Sequence, residues 1–201
     1  MNPSSKINNQ VCQTFALQKS GELTEDSLKY INSLGYRLEV VNKLLLKDIN
    51  KNTNFLLIRN SDIPNLVANR KIDLGIVGLD QIEESGFNFT FKKPLNFGYC
   101  ELKIGIPKDQ LKEYKNLRGF RGKRVATSYP NLVFSYFKRF KIEVKPVFMR
   151  GSVELAPKFG IADLIADVVV SGNTMKSMDL VPNRSIFSSQ AYLISNTVNK
   201  Q

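Results

Sequence analysis

The chain has 201 residues, 42% hydrophobic and 23% charged, with 29 Lys+Arg against 18 Asp+Glu and a formal net charge of +11. Two Cys and no His exclude a disulfide framework, a histidine-based catalytic couple and any imidazole metal site. The cation surplus sets up a field that attracts anions without naming them.

The first ten residues (MNPSSKINNQ) read as a flexible arm and lack the apolar core of a signal peptide. The longest apolar runs are strand-sized, and two Cys suit a reducing compartment. A soluble, cytoplasmic chain without a membrane partner is therefore expected. Residues 11–17 alternate as a strand. After Lys19-Ser20-Gly21 a helix is predicted with Thr24 as N-cap, Leu28, Ile31 and Leu34 on one face and Gly35 as its stop. Residues 37–46 and 54–59 read as strands, joined by a hairpin over 48–53. Ser61-Asp62-Ile63-Pro64 opens a second helix, and the apolar run 74–78 (LGIVG) reads as a buried strand leading through Asp80 into a third.

Strands are predicted over 95–107 and 124–128, with a basic helix and loop over 108–123 between them. Lys108, Lys112, Lys115, Arg118, Arg121, Lys123 and Arg124 follow no known binding motif, so they are read as a solvated face and no nucleic-acid partner is expected. A helix over 131–139, a strand over 143–149, a short helix over 152–159 and a strand over 167–170 complete the pattern. Strands and helices alternate throughout, which makes the fold class α/β.

The sharpest chemical signal is Asp167-Val-Val-Val-Ser171-Gly172-Asn173-Thr174. An apolar strand delivers an acid and then a tight turn whose backbone N–H groups and hydroxyls suit a phosphate dianion. An ordinary strand-to-helix connection with a Ser/Thr cap fits the same spacing. Gly151-Ser152-Val-Glu154 reads as a capped helix start, and Gln18-Lys19-Ser20-Gly21 as a polar glycine turn at a strand's carboxyl end, where open α/β sheets bind ligands. Three such loops on a cationic chain point to a phosphorylated small molecule. Asp62, Asp73 and Asp80 match no metal-ligand spacing and read as caps, so no metal ligand is assigned. Cys100 reads as a packed strand residue.

Glu154-x5-Gly160-x-Ala162-x2-Ile165-x-Asp167-Val168-x2-Ser171-Gly172-x-Thr174-Met175 resembles the signature of the ATP phosphoribosyltransferase family. The likeness runs from Ala16-Leu-Gln-Lys-Ser-Gly through Asp73-Leu-Gly-Ile-Val-Gly78, Asn96-Phe-Gly-x-Cys100 and Arg124-Val-Ala-Thr-Ser-Tyr-Pro130 to Ala191-Tyr-Leu-Ile194. The resemblance implies two lobes like type II periplasmic binding proteins, with the active site in the interlobe cleft. The first lobe is expected over 11–104 plus 180–201 and the second over 105–179.

The implied reaction joins N1 of the adenine of ATP to C1 of phosphoribosyl pyrophosphate and releases pyrophosphate, the first step of histidine biosynthesis, with Mg²⁺ carried by the polyphosphate. Lys19, Arg59 and Asp167 are the implied catalytic residues. Glu154, Asp167, Ser171, Gly172, Asn173 and Thr174 are the implied binders of phosphoribosyl pyrophosphate. Gln18, Lys19, Ser20, Gly21, Glu22, Arg59, Asp80 and Glu101 are implied on the side of ATP or another acceptor. Lys19, Ser20, Gly21, Arg59 and Asp80 are expected on the first lobe. A homo-oligomer is implied, and short members of the family work with a regulatory subunit resembling histidyl-tRNA synthetase.

Two positions depart from the family's wording. Glu22 and Glu101 stand where relatives read Ser-Gly-Arg-Leu and Cys-Arg-Leu. A divergent paralogue with another acceptor, or a non-catalytic binding or regulatory subunit, are the alternatives these positions raise.

Overall fold

A computed structural model describes residues 12–169, 175 and 178–196. The arm expected over 1–10 lies outside the described residues, as do Ser171, Gly172, Asn173 and Thr174. The chain divides into two compact units: residues 1–77, 87–97 and 191–201 in the first, 78–86 and 98–190 in the second.

The first unit is built on a seven-stranded sheet of order β2-β3-β4-β1-β5-β12-β6. Its strands are β1 (Gln13–Gln18), β2 (Glu39–Asn42), β3 (Leu45–Asp48), β4 (Thr53–Ile58), β5 (Leu74–Gly78), β6 (Phe91–Pro94) and, late in the chain, β12 (Ala191–Ser195). β1 lies parallel to both β4 and β5, and Phe15 faces Phe55 in register with ring centroids 5.0 Å apart. Helix α1 (Glu22–Ser33) sends Ile31 into that core. It starts three residues earlier than expected, with Gly21 at the cap position, while the Thr24 hydroxyl donates 2.9 Å to the Gln18 carbonyl. Gly21 has φ 103°, a conformation that favours glycine.

The long strand expected over 37–46 is in fact a hairpin of β2 and β3. The Asn42 side chain accepts from the Leu44 N–H at 2.9 Å and turns the chain back, the local competition that makes Asn a turn former. Likewise the strand expected over 95–107 starts only at Cys100, because Asn96 and Gly98 adopt positive φ. Helix α2 (Ile63–Ala68) packs on β5 at Gly75, where an added Cβ would lie 2.6 Å from Ile63 Cγ2.

The second unit has a five-stranded sheet of order β11-β7-β10-β8-β9. These are β7 (Cys100–Pro107), β8 (Arg124–Thr127), β9 (Lys145–Phe148), β10 (Leu164–Val169) and β11 (Leu180–Ser189). Helices α3 (Leu79–Ser85) and α4 (Pro130–Arg139) belong with it. The sheet alternates strictly: Leu102, Ile104, Leu164 and Ala166 join the core under α4, while Ala126 and Ile165 join Val153 and Met175 on the other face. The Glu84 carboxylate in α3 accepts from the Asn131 and Leu132 N–H groups at 3.0 and 2.9 Å, so one helix caps the next. Basic residues 108–123 form short 3-10 turns rather than a helix.

The expected lobe boundaries shift. Residues 100–104 and 180–189 hydrogen-bond into the second sheet as β7 and β11, so they leave the first lobe, and residues 78–86, mainly helix α3, also belong to the second unit. The reason is pairing: β11 aligns with β7 from Leu180–Pro107 to Ser189–Cys100. Gly75→Ala should destabilise the chain by about 1–3 kcal/mol through overpacking, read as a lower urea midpoint with an unchanged m-value.

Candidate active site

In the first unit, β1 and β4 end side by side and in parallel, with Gln18 opposite Ile58. The turn that follows is held by the Lys19 N–H donating 2.8 Å to the Ile58 carbonyl. Lys19, Ser20, Gly21 and Glu22 after β1, and Arg59 after β4, all emerge exposed at this edge. Two cations and a backbone turn therefore stand together at the carboxyl ends of parallel strands, the expected ligand edge. Glu22 is the first residue of α1, where its charge complements the helix amino terminus. Asn60, beside Arg59, carries a buried Oδ1 without a hydrogen-bond partner among the described residues.

In the second unit, Asp167 stands near the carboxyl end of β10, half-buried on the Ile165 face. Burial pushes its carboxyl above the ordinary aspartate range, the Val168 N–H at 2.8 Å opposes that shift, and the nearby Glu154 charge adds to it. Glu154 lies on a 3-10 turn (Val153–Leu155) entered through Ser152 at φ 51°. Arg124 fixes the start of β10: its guanidinium meets Asp163 at 2.8 Å and the Gly160 carbonyl at 2.8 Å.

Asp80 is placed in the second unit, not with Lys19 and Arg59, and it is 4% exposed. The Ser189 hydroxyl donates 2.6 Å to its carboxylate and accepts 3.0 Å from its N–H. Tyr129 lies in the same polar cluster, its phenol held far above the usual range by burial first and by Asp80 next. Gln81 Nε2 donates 2.9 Å to the Tyr129 hydroxyl, and the Tyr129 N–H donates 2.9 Å to Thr127 Oγ1. Asp80 is thus an organiser of buried polar groups rather than a solvent-facing binder. Burial, with Asp80 nearby, pushes the Cys100 thiol up to about 11, so it remains a protonated packing residue.

Glu101 also belongs to the second unit, on β7. Its carboxylate lies 2.6 Å from Lys103 Nζ. The Lys103 ammonium, followed by the Ser185 hydroxyl, holds its carboxyl below the usual range. Sequence reasoning missed Lys103, Gln81, Tyr129 and Ser189. The two-residue spacing of Glu101 and Lys103 on a strand was the available signal for the first of these; the others meet only through tertiary packing. Among the described residues no group of three or more potential ligands is arranged to hold a metal. A cavity of about 1000 Å³ opens by the amino ends of β8 and β10. Of its cations, Arg124 and Lys123 are paired with Asp163 and Glu113, Lys108 and Lys158 line it as well, and Glu154, the acid near Asp167, forms part of its wall.

The family model for ATP phosphoribosyltransferase (HisG) matches residues 59–201. An ATP phosphoribosyltransferase of Pyrococcus furiosus is 37% identical over 187 residues, covering 93% of this chain and 89% of that protein. The chain belongs to the ATP phosphoribosyltransferase family. It is a phosphoribosyltransferase of the first step of histidine biosynthesis, by a family match that spans most of its length. A second relative bearing that name, from Azobacteroides pseudotrichonymphae, is 38% identical over 185 residues, 90% of this chain and 64% of its own length.

Among solved structures, the ATP phosphoribosyl transferase (HisG:HisZ) complex from Thermotoga maritima superposes with TM-score 0.75 at 24% identity, over 92% of this chain and 87% of that one. The arginine-bound, truncated ArgBP of the same organism gives TM-score 0.56 at 17% identity over 91% and 87%. Both likenesses concern the fold, a two-lobed α/β architecture of the type II periplasmic-binding kind.

Because folded Asp167 keeps its proton to higher pH than the unfolded chain does, its contribution to stability falls as pH rises from the ordinary aspartate range through the raised value, then levels. Asp167→Asn should therefore be more stable than wild type at neutral pH and lose that pH dependence, read from urea midpoints across the acid range. Ser189→Ala, which leaves buried Asp80 without its hydroxyl donor, should cost about 1–3 kcal/mol in the same assay.

Proposed function

We propose that this chain itself joins N1 of the adenine of ATP to C1 of phosphoribosyl pyrophosphate: the N1–C1 bond forms as the C1–oxygen bond to pyrophosphate breaks. The adenine nitrogen brings its own lone pair, so a histidine-free chain needs no base to make the nucleophile. The work is alignment and neutralisation of the departing pyrophosphate. Asp167 and Glu154 are the acceptors for the ribose hydroxyls, Ser171, Gly172, Asn173 and Thr174 are the 5-phosphate cradle, and Gln18, Lys19, Ser20, Gly21 and Arg59 serve the polyphosphate and acceptor side.

The single observation that best supports these roles is the position of Asp167. It stands near the carboxyl end of a central strand, four residues ahead of Ser171 of the Ser-Gly-x-Thr sequence, where burial first and a second acid, Glu154, next raise its pKa. Mg²⁺ enters with the polyphosphate, and its chemistry is to neutralise oxygen charge on the leaving group. The Glu154 and Asp167 carboxylates, which repel one another, are hard oxygen donors that suit a cation-bearing substrate. A homo-oligomer is part of this reading, and the HisG:HisZ complex of the Thermotoga fold relative suggests a HisZ-like partner.

The placement of Glu22 at a helix start and the pairing of Glu101 with Lys103 give both departures from the family's wording a local role, which favours an active transferase over a decayed one. Calorimetry with phosphoribosyl pyrophosphate and Mg²⁺ should show binding, and pyrophosphate release should require ATP. Arg59→Ala and Lys19→Ala should each lower kcat/KM by about a hundredfold, equivalent to about 2.7 kcal/mol, with unchanged urea midpoints. ATP-independent release, or no binding at millimolar ligand, would remove this reading.

A further inference from the structure

The antiparallel register of β7 and β10 puts Lys103 directly opposite Asp167, Glu101 opposite Val169 and Gly105 opposite Ile165. Strand alternation places Glu101, Lys103 and Gly105 on the face shared by Ile165 and Asp167. That face is fixed independently by packing, since an added Cβ on Gly105 would meet Ile165 Cγ1 at 2.7 Å and Met175 Sδ at 3.2 Å. Met175 and Val169 both adjoin this stretch of β7.

On β7, β10 and the Val153–Leu155 turn the charged side chains are Glu101, Lys103, Glu154 and Asp167. Three are carboxylates and one is an ammonium. A phosphorylated substrate approaching Asp167 meets repulsion from these elements at every charged position but Lys103. The Lys103 side chain is 28% exposed and its ammonium is anchored 2.6 Å from Glu101, itself 42% exposed. The strand therefore carries its cation one pleat repeat from the position where the family's wording has arginine, with an acid taking the original place.

We propose that Lys103 is a ligand for the anionic phosphate groups of the phosphoribosyl substrate, and that Glu101 is an internal competitor that orients the ammonium and limits its affinity. This assignment rests on the phosphoribosyl transfer reading. It makes Lys103 a binding residue and Glu101 a positioning residue acting through it.

Titration of the full chain with inorganic pyrophosphate and Mg²⁺, at low and high salt, tests it. Lys103→Met, which keeps the aliphatic stem, should weaken binding about tenfold or more and flatten its salt dependence. Lys103→Arg should retain the affinity, and Glu101→Gln should tighten it about threefold. In turnover the Lys103→Met effect should appear in the KM for phosphoribosyl pyrophosphate and leave the KM for ATP unchanged. Unchanged pyrophosphate affinity in a folded Lys103→Met protein overturns the proposal. If that variant fails to fold, Glu101→Gln decides, and unchanged or weakened binding there overturns it. A wild-type protein that shows no ATP-dependent turnover sinks the transfer reaction instead, while the pyrophosphate titrations still decide Lys103.

Discussion

Asp167 is held in place by the strands on either side of it. β10 runs parallel to β8 and antiparallel to β7, and both pairings must form for the acid to be carried to the sheet's edge on one particular face. The same two pairings bury Leu164 and Ala166 beneath α4 and send Ile165 to the opposite core. Burial of that apolar alternation stabilises the register, since a slip by one residue would exchange the two faces. A half-buried carboxylate beside Glu154 opposes the fold locally, and the hydrophobic register around it overcomes that opposition. Strain of this kind is characteristic of functional positions.

The other buried acid is treated differently. Asp80 receives the Ser189 hydroxyl and lies beside Tyr129, so its charge is compensated within the protein. Asp167 has a backbone N–H and a neighbouring acid near it, and burial, with Glu154 adding to it, holds its carboxyl above the ordinary range. Asp80 thus organises the start of α3 against β11, while Asp167 is the acid assigned to the substrate under the proposed function. In the first unit the corresponding device is simpler, an exposed turn at the end of β1 next to Arg59, with the helix amino terminus occupied by Glu22.

Much of this was legible in the residues. The alternation in 11–17, the apolar run 74–78 and the helical spacing over 131–139 are local patterns, and β1, β5 and α4 form there within one or two residues. The failures have local causes too. Asn42 bonded its own backbone neighbourhood and split a strand, and positive φ at Asn96 and Gly98 cut another. β11 was not read as a strand; its apolar residues are interrupted by Pro182, Asn183 and Arg184, and its partner is some eighty residues away on β7.

The family signature, the absence of histidine and the cation excess are properties of the chain alone, and they determined the chemistry: phosphorylated substrates and a reaction that needs no imidazole. Tertiary structure decided which charges are answered inside the protein, as Asp80 is by Ser189. The +11 total is a sum and carries no positions; β7 pairing with β10 is what places Lys103 across from Asp167, while its link to Glu101 is local to β7. Coulomb interactions depend on distance and on solvent access, and neither exists until strands distant in sequence are aligned.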